Sequence, residues 1–278
     1  GGRGRNIHET LERSGYPYVG PSPDALSLSQ SRPATLEAWR RLGLPVPDYF
    51  CLPRAKPGST GARLAAARDF PYLLRVAQTC NEGPEVLANS LAELKAGVAK
   101  LWEGAGDILV EGLPGGESGR EFSVAMIGEG SRSLFLPVER RPIHSRCRLS
   151  LHRTEGEAAL PETLPLPPGR LRRELCDLAQ AAFGAIGLRD YGRLDVVLAG
   201  SRLWVLGALA QPPLPDPLFS ACAAGAGLTV EGYLGAIALS ALRRQMPESG
   251  ISRLTPPGLL AVLPPGLSDF FGSGLGAG

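Results

Sequence analysis

Residues 191–214, YGRLDVVLAGSRLWVLGALAQPPL, decide how the chain is read. Leu194, Val196 and Leu198 alternate with other residues along a first arm, Gly200 and Ser201 supply a turn, and the second arm, RLWVLGALA, is apolar almost throughout. Alternation with period two fits a half-buried strand, and a Gly-Ser pair between two apolar runs fits a tight turn, so the stretch predicts a β-hairpin. Apolar runs this clean normally mean core. Asp195 is the one carboxylate in it, and the rest of the sequence has to explain why.

Composition sets the limits. A chain of 278 residues with 44% hydrophobic and 20% charged residues is long enough to bury a sizeable core in one or two domains. Lys and Arg number 29 against 27 Asp and Glu, a formal charge of +2, which gives no general reason to expect nucleic acid or an anionic membrane as partner. Any anion site must be local. The cysteines, at 51, 80, 147, 176 and 222, are odd in number and far apart. With no CxxC pair they predict neither a disulfide framework nor a zinc site, and a reducing cytoplasm suits them. No signal-like segment opens the chain and no apolar run of eighteen residues occurs, so neither export nor membrane insertion is expected. His8, His144 and His152 are too scattered for a metal site or a triad.

Outward from the hairpin, helices and strands alternate. SRPATLEAWRRLGL (31–44) reads as an amphipathic helix with Leu36, Trp39 and Leu42 at helical spacing, Pro33 in its first turn and Gly43 at its end. PVPDYFCL (45–52) is extended, TGARLAAARDF (60–70) a helix, PYLLRVA (71–77) a strand, and residues 83–105 one or two helices before the strand DILVEGL (107–113). REFSVAMIG (120–128) and SLFLPVERR (133–141) predict antiparallel strands. A Pro-rich loop, LPETLPLPPGRL (160–171), leads into a helix over 169–188 with Leu171, Leu175, Leu178, Ala182 and Phe183 on one face. From Pro256 the chain repeats PPGL and ends in Gly and Ser, which predicts a loosely held tail, with docking through Leu259, Leu260, Phe270 and Phe271 as the other reading.

Several segments, in order, resemble the ATP-grasp superfamily in its D-alanine–D-alanine ligase-like branch. They are RNIHETLERSGYPYVGPSPDALSLSQSR (5–32), WRRLGLPVPDYF (39–50), DILVEGLPGGESGREFSVAMIG (107–128), AIGLRDYGRLDVVL (185–198) and LWVLGALAQPPL (203–214). The resemblance implies an α+β class and an ATP-grasp fold, two α+β subdomains that sandwich a nucleotide. It divides the chain into a remnant of an N-terminal substrate domain (1–29), a central subdomain (30–114), a C-terminal subdomain (115–250) and a Pro/Gly-rich flexible tail (251–278). Most of the family's N-terminal domain is absent from this sequence.

The family's chemistry joins a carboxylate to an amine through an acyl phosphate made from ATP, with magnesium and cationic side chains on the phosphates. Asp195 matches a metal-binding Asp, but Gly207 and Leu209 stand where the family has a bridging Glu and an Asn. The hairpin is kept and two of three metal ligands are gone. Arg32, Arg75 and Arg153 match the three ATP-contacting lysines; the charge is retained, but a planar guanidinium is not interchangeable with a compact ammonium. QTCNEG (78–83) replaces the family's Gly-Ser phosphate loop. Glu111 matches the carboxylate that accepts from the adenine amino group, with Gly112 and Leu113 offering backbone and apolar contact to the base; Glu121 matches the ribose-binding Glu, and Arg193 the catalytic arginine that steadies the transferred phosphate. Purely structural readings stand beside these: Glu111 caps a strand end, Glu121 is solvated, and Arg193 pairs with Asp195 on one strand face. VERRPIHSRCRLSLHR (138–153) holds Arg140, Arg141, Arg146, Arg148 and Arg153 and reads as a solvated face in preference to an anion-binding loop.

The expectation is therefore a D-alanine–D-alanine ligase-like protein with impaired or lost catalysis, cytoplasmic, that still binds adenine nucleotide weakly and serves as a partner or scaffold, with homodimerisation left open. The alternative is an active ATP- and Mg²⁺-dependent carboxylate–amine ligase whose metal ligands come from elsewhere.

Overall fold

The structure is a computed structural model that describes residues 2–54, 60–77, 84–104, 106–115, 119–141 and 162–245. The predicted tail, the QTCNEG loop, most of the Arg-rich stretch with Arg153, and Cys80 and Cys147 lie outside the described residues. The opening segment forms α1 (Gly2–Ser14) and α2 (Pro23–Ser29), followed by α3 (Arg32–Arg41). A first sheet is built from β1 (Tyr49–Leu52), β2 (Tyr72–Val76), β3 (Glu85–Ala88) and β4 (Ile108–Gly112) in the order β1-β4-β2-β3, every pair antiparallel. Its helices are α4 (Thr60–Ala66) and α5 (Leu91–Trp102). The stretch expected to hold one or two helices before β4 thus holds one helix and a strand: Glu85–Ala88 is an edge strand on β2. The break is at Ser90, whose hydroxyl caps α5 by accepting from the Glu93 N–H, while Glu93 reaches back to the Asn89 N–H.

The second sheet holds β5 (Arg120–Glu129), β6 (Arg132–Arg141), β7 (Glu162–Pro165), β8 (Asp190–Ala199) and β9 (Arg202–Leu209), in the order β7-β6-β5-β8-β9. β8 and β9 are the hairpin, joined at Gly200 and Ser201, and Gly200 has the left-handed φ of 61° that such a turn needs. β7 arises inside the stretch expected to be a Pro-rich loop; it is an edge strand, where proline's missing N–H costs no ladder bond.

The sheets are covered on specific faces because their residues alternate. In the first, Leu74, Ile108 and Val110 pack with Leu94 and Val98 of α5. In the second, Phe122, Val124, Leu194 and Val196 meet Leu36 and Trp39 of α3 and the helix α6 (Arg170–Ala185). The opposite face carries Ala125, Ile127 and Val138 against α7 (Pro217–Ala224) and α8 (Val230–Gln245). Leu109 of β4 joins the α3–α6 core and the Val205 N–H donates to the Pro45 carbonyl at 2.8 Å, so the two sheets share one interior. Trp39 is fully buried and its indole N–H donates to the Ala182 carbonyl at 2.8 Å. Trp39→Phe is expected to cost about 1–2 kcal/mol in a denaturant melt, from the lost hydrogen bond and a small void.

The opening segment is tied to the second sheet. Asp190, buried with φ of 67°, accepts from the Gly20 N–H at 2.8 Å and from Arg244 at 2.7 Å, and Arg189 reaches Glu12 at 2.8 Å. Among the described residues no helix is long and apolar enough to cross a membrane.

Candidate functional site

Strand parity assembles the polar residues. On the first sheet Arg75 stands opposite Leu109 and Glu85, and Glu111 opposite Leu73, which puts Arg75, Glu85 and Glu111 on one face. Arg32, at the first position of α3, completes the group. Its Nη2 donates to Glu111 Oε1 at 2.6 Å and its Nε to the same oxygen at 3.1 Å. Arg75 lies between two carboxylates, with Nε 3.2 Å from Glu111 and Nη1 3.2 Å from Glu85. Arg32, Arg75 and Glu111 are all buried. Burial disfavours the charge on Arg75 and lowers its pKa despite Glu111; burial likewise pushes the Glu85 carboxyl up, against the pull of Arg75.

On the second sheet Arg193 and Asp195 share a face with Ser123, opposite Asp195, and with Glu121 and Arg140, which face each other across β5 and β6. Asp195 is wholly buried. Ser123 Oγ donates to its Oδ1 at 2.5 Å, Arg193 to its Oδ2 at 3.3 Å, and Arg140 stands 3.7 Å away. Arg140 also pairs with Glu121 at 3.1 Å. Arg193 is held on its other side by Asp216 at 2.7 Å; the same carboxylate caps α7 by accepting from the Phe219 N–H, so the helix start fixes the arginine. Burial alone would raise the Asp195 pKa, but Arg193 and Arg140 outweigh it and hold the carboxyl below its usual value. Burial opposes the charge on Arg193 too, and Asp195 and Asp216 more than offset it, so its pKa is raised.

The Arg32 side chain links the two sheets. The Arg32 guanidinium, held by Glu111 of the first sheet, also donates to the Leu206 carbonyl of the second. The β8–β9 register passes from Val196 opposite Val205 to Asp195 opposite Gly207, skipping Leu206 at a bulge. The structure therefore brings Arg32, Arg75 and Glu111 into one cluster and Glu121, Arg193 and Asp195 into a second, and Arg32 reaches the second sheet at the Leu206 backbone.

Three expectations are revised in detail. Arg140 belongs to no solvated face: it is buried and paired twice, because it sits on the inward parity of β6, whereas Arg141 is exposed. Glu121 is buried, not solvated. The backbone N–H groups at the β4 exit are both engaged within the protein, Gly112 to the Asp48 carbonyl at 2.7 Å and Leu113 to that of Pro71 at 3.1 Å. Ser123, Asp216 and Glu85 were missed as members of these clusters. The Asp216-Pro217 pair does carry a helix-start signature, but its link to Arg193 is visible only in three dimensions.

The donor set does not match Mg²⁺, which takes about six oxygens in octahedral array. Asp195 already faces two guanidinium groups, and the residues opposite it and Arg193 on β9 are Gly207 and Leu209. Among the described residues no group of three His, Cys, Asp or Glu is placed to hold a metal. Nor is there a ready thiol nucleophile here, since burial pushes Cys222 up to about 12.

No family model matches the sequence. The chain is 29% identical over 218 residues to the D-alanine–D-alanine ligase of Bordetella petrii, covering 76% of this chain and 63% of that protein, so it spans less than two thirds of that relative's length. It is 28% identical over 239 residues to the corresponding ligase of Oleidesulfovibrio alaskensis, covering 82% of this chain and 72% of the relative. Among solved structures it resembles the Bacillus anthracis D-alanine–D-alanine ligase complexed with ATP, with a TM-score of 0.67 and 19% identity over 86% of this chain and 75% of that one. It is also similar to the VanG D-Ala:D-Ser ligase of Enterococcus faecalis, with a TM-score of 0.68 and 16% identity over 84% of this chain and 68% of that one.

Proposed function

We propose, for a chain that has the ATP-grasp fold and is similar to the D-alanine–D-alanine ligases, a non-catalytic role: a homologue whose ligase site has become a salt-bridged interior and which retains at most weak nucleotide binding. The observation that carries this reading is the closure of Asp195 by Ser123, Arg193 and Arg140, with glycine opposite it. Phosphoryl transfer from ATP builds negative charge that metal ions normally neutralise, and each such electrostatic contact is worth about 3 kcal/mol of transition-state stabilisation. Here the carboxylate that would hold a cation is spent on two arginines. The residues matched to nucleotide contacts, Arg32, Arg75, Glu111 and Glu121, neutralise one another or Arg140 in the same way. The division into a short N-terminal remnant and two subdomains, and service as a partner or scaffold, belong to this reading.

The test is turnover. With ATP, Mg²⁺, D-alanine and a panel of other amino acids, the protein is expected to release no ADP above a blank in a coupled assay. Amino-acid-dependent ADP release would overturn the reading in favour of an active ATP-dependent carboxylate–amine ligase.

A further inference from the structure

A cavity of about 110 Å³ lies at the far end of β5 from Glu121, between the β5–β6 turn and the last turns of α8. Glu129, Arg132, Ser240, Arg243 and Arg244 line it. From Glu121 to Glu129 the strand runs about 26 Å, so the cavity shares no wall with the cluster around Asp195. The turn through Gly130, with φ of 57°, sets Glu129 directly opposite Arg132, and Arg243 and Arg244 come from the end of α8. Arg244 is fixed in place: it donates to Asp190 at 2.7 Å and to the Tyr18 carbonyl at 3.1 Å, and stands 3.8 Å from Glu129. The buried Ser240 hydroxyl donates to the same Asp190 at 3.4 Å. Glu129 and Arg132 are exposed, and no carboxylate or carbonyl of the described residues pairs with Arg132. The lining thus carries three positive charges against one negative, on a frame whose hydrogen bonds need no ligand. The space has room for about three to four waters, enough for one phosphate group and too little for a nucleoside. A planar carboxylate is satisfied by one guanidinium fork, whereas a tetrahedral dianion takes donors from several directions.

We infer that this cavity is a binding site for a phosphate group, presented as the free ion or as the end of a small phosphomonoester. Arg132 and Arg243 close on its oxygens from β6 and α8, and Arg244 is the fixed wall. Glu129 competes with the anion for these guanidinium groups and turns outward when it binds, as its exposed position allows.

Calorimetry on the intact chain at low ionic strength, with inorganic phosphate, glycerol 3-phosphate and sodium acetate, tests this. At least one phosphate ligand should bind with a dissociation constant of about 1 mM or tighter, and acetate about tenfold more weakly than that ligand. The tighter of the two phosphate ligands identifies the source of the group. Arg132→Ala and Arg243→Ala should each weaken that binding about tenfold, the worth of a hydrogen bond to a charged group. Glu129→Gln should tighten it about threefold, because a like charge beside the anion is removed. Failure of both phosphate ligands to bind would overturn the inference, as would acetate binding as well as phosphate. So would phosphate binding that both arginine variants leave unchanged, which places the anion elsewhere on the protein. Weaker binding in Glu129→Gln would overturn it too, since a zwitterionic or cationic ligand gives that sign. A melting curve for each variant establishes that it is folded, and the two arginines, on separate elements, are independent probes. ADP release in the turnover assay bears on the non-catalytic reading alone.

Discussion

Asp195→Asn is expected to destabilise the folded protein by about 3 kcal/mol, lowering the melting temperature by roughly 6–12 °C. The argument is one of sign. A carboxylate whose purpose is to hold a cation is uncompensated when the cation is absent, so its removal from a metal-free protein leaves stability unchanged or improves it. A carboxylate that serves as counter-ion to buried arginines behaves oppositely, because its loss strands charge in a low-dielectric interior. Asp195 faces Arg193 and Arg140. The loss sits at the low end of the range for broken buried pairs because Arg193 keeps Asp216 and Arg140 keeps Glu121. The pH dependence follows the same direction. A carboxyl held below its usual value contributes stability that is complete above the unfolded value near about 3.9 and is lost as pH falls toward the folded value. The parent should therefore lose this share of its stability in acid, and the variant should show a flatter acid limb. A variant that melts with the parent at neutral pH would sink the counter-ion account.

The second large effect is expected from Gly207→Glu with Leu209→Asn. Positions 207 and 209 stand opposite Asp195 and Arg193 and share their face. The double substitution loses a buried leucine and places a carboxylate and an amide in an interior whose arginines, Arg193 and Arg140, are already paired, at a cost of about 3–6 kcal/mol. The new groups with Asp195 restore an oxygen-rich set. Mg²⁺ with ATP should then raise the melting temperature of the double variant by binding only the folded state, which at about a hundredfold excess over the dissociation constant returns about 2.7 kcal/mol. Any rise that ATP causes in the parent should survive EDTA, whereas that of the variant should not. Indifference of the variant to metal would mean that the β8–β9 face does not look into a ligand cleft.

Much of the fold was legible because it rests on local periodicity. The helix over 169–188 buries one face, which the spacing of Leu175, Ala182 and Phe183 records directly; the hairpin and the strands at 120–141 were legible from their apolar runs and the alternation of Leu194, Val196 and Leu198, although β5 and β8 are covered on both faces. β3 and β7 were not legible: each is four residues long at a sheet edge, too short for a period, and held by its neighbour more than by its own preference. The site divides in the same manner. Arg193 and Asp195 were found as neighbours of equal parity on one strand. Arg140 was lost within a run of arginines, where composition suggested solvent, although its separation of two from buried Val138 already marked it as inward. The closing of Glu111 by Arg32 joins residues 79 positions apart, and no local pattern announces a pairing at that range.

The bulge at Leu206 puts β9 out of phase with itself. Val205 sits opposite Val196 and joins the apolar core, while Gly207, two residues on, sits opposite Asp195 on the other face. A regular strand would put both on the same side. Leu206 is in effect a spacer residue: excising it lets the ladder run on unbroken, with the side chains before and after it keeping their faces, while the carbonyl that Arg32 grips disappears. Swapping the Leu206 side chain leaves that grip untouched, since the contact is to backbone. At this point of the chain, then, the change that matters is one of length and not of residue type, and homologues sorted by residue identity alone would hide the difference between a chain whose two sheets are clasped and one whose sheets are not.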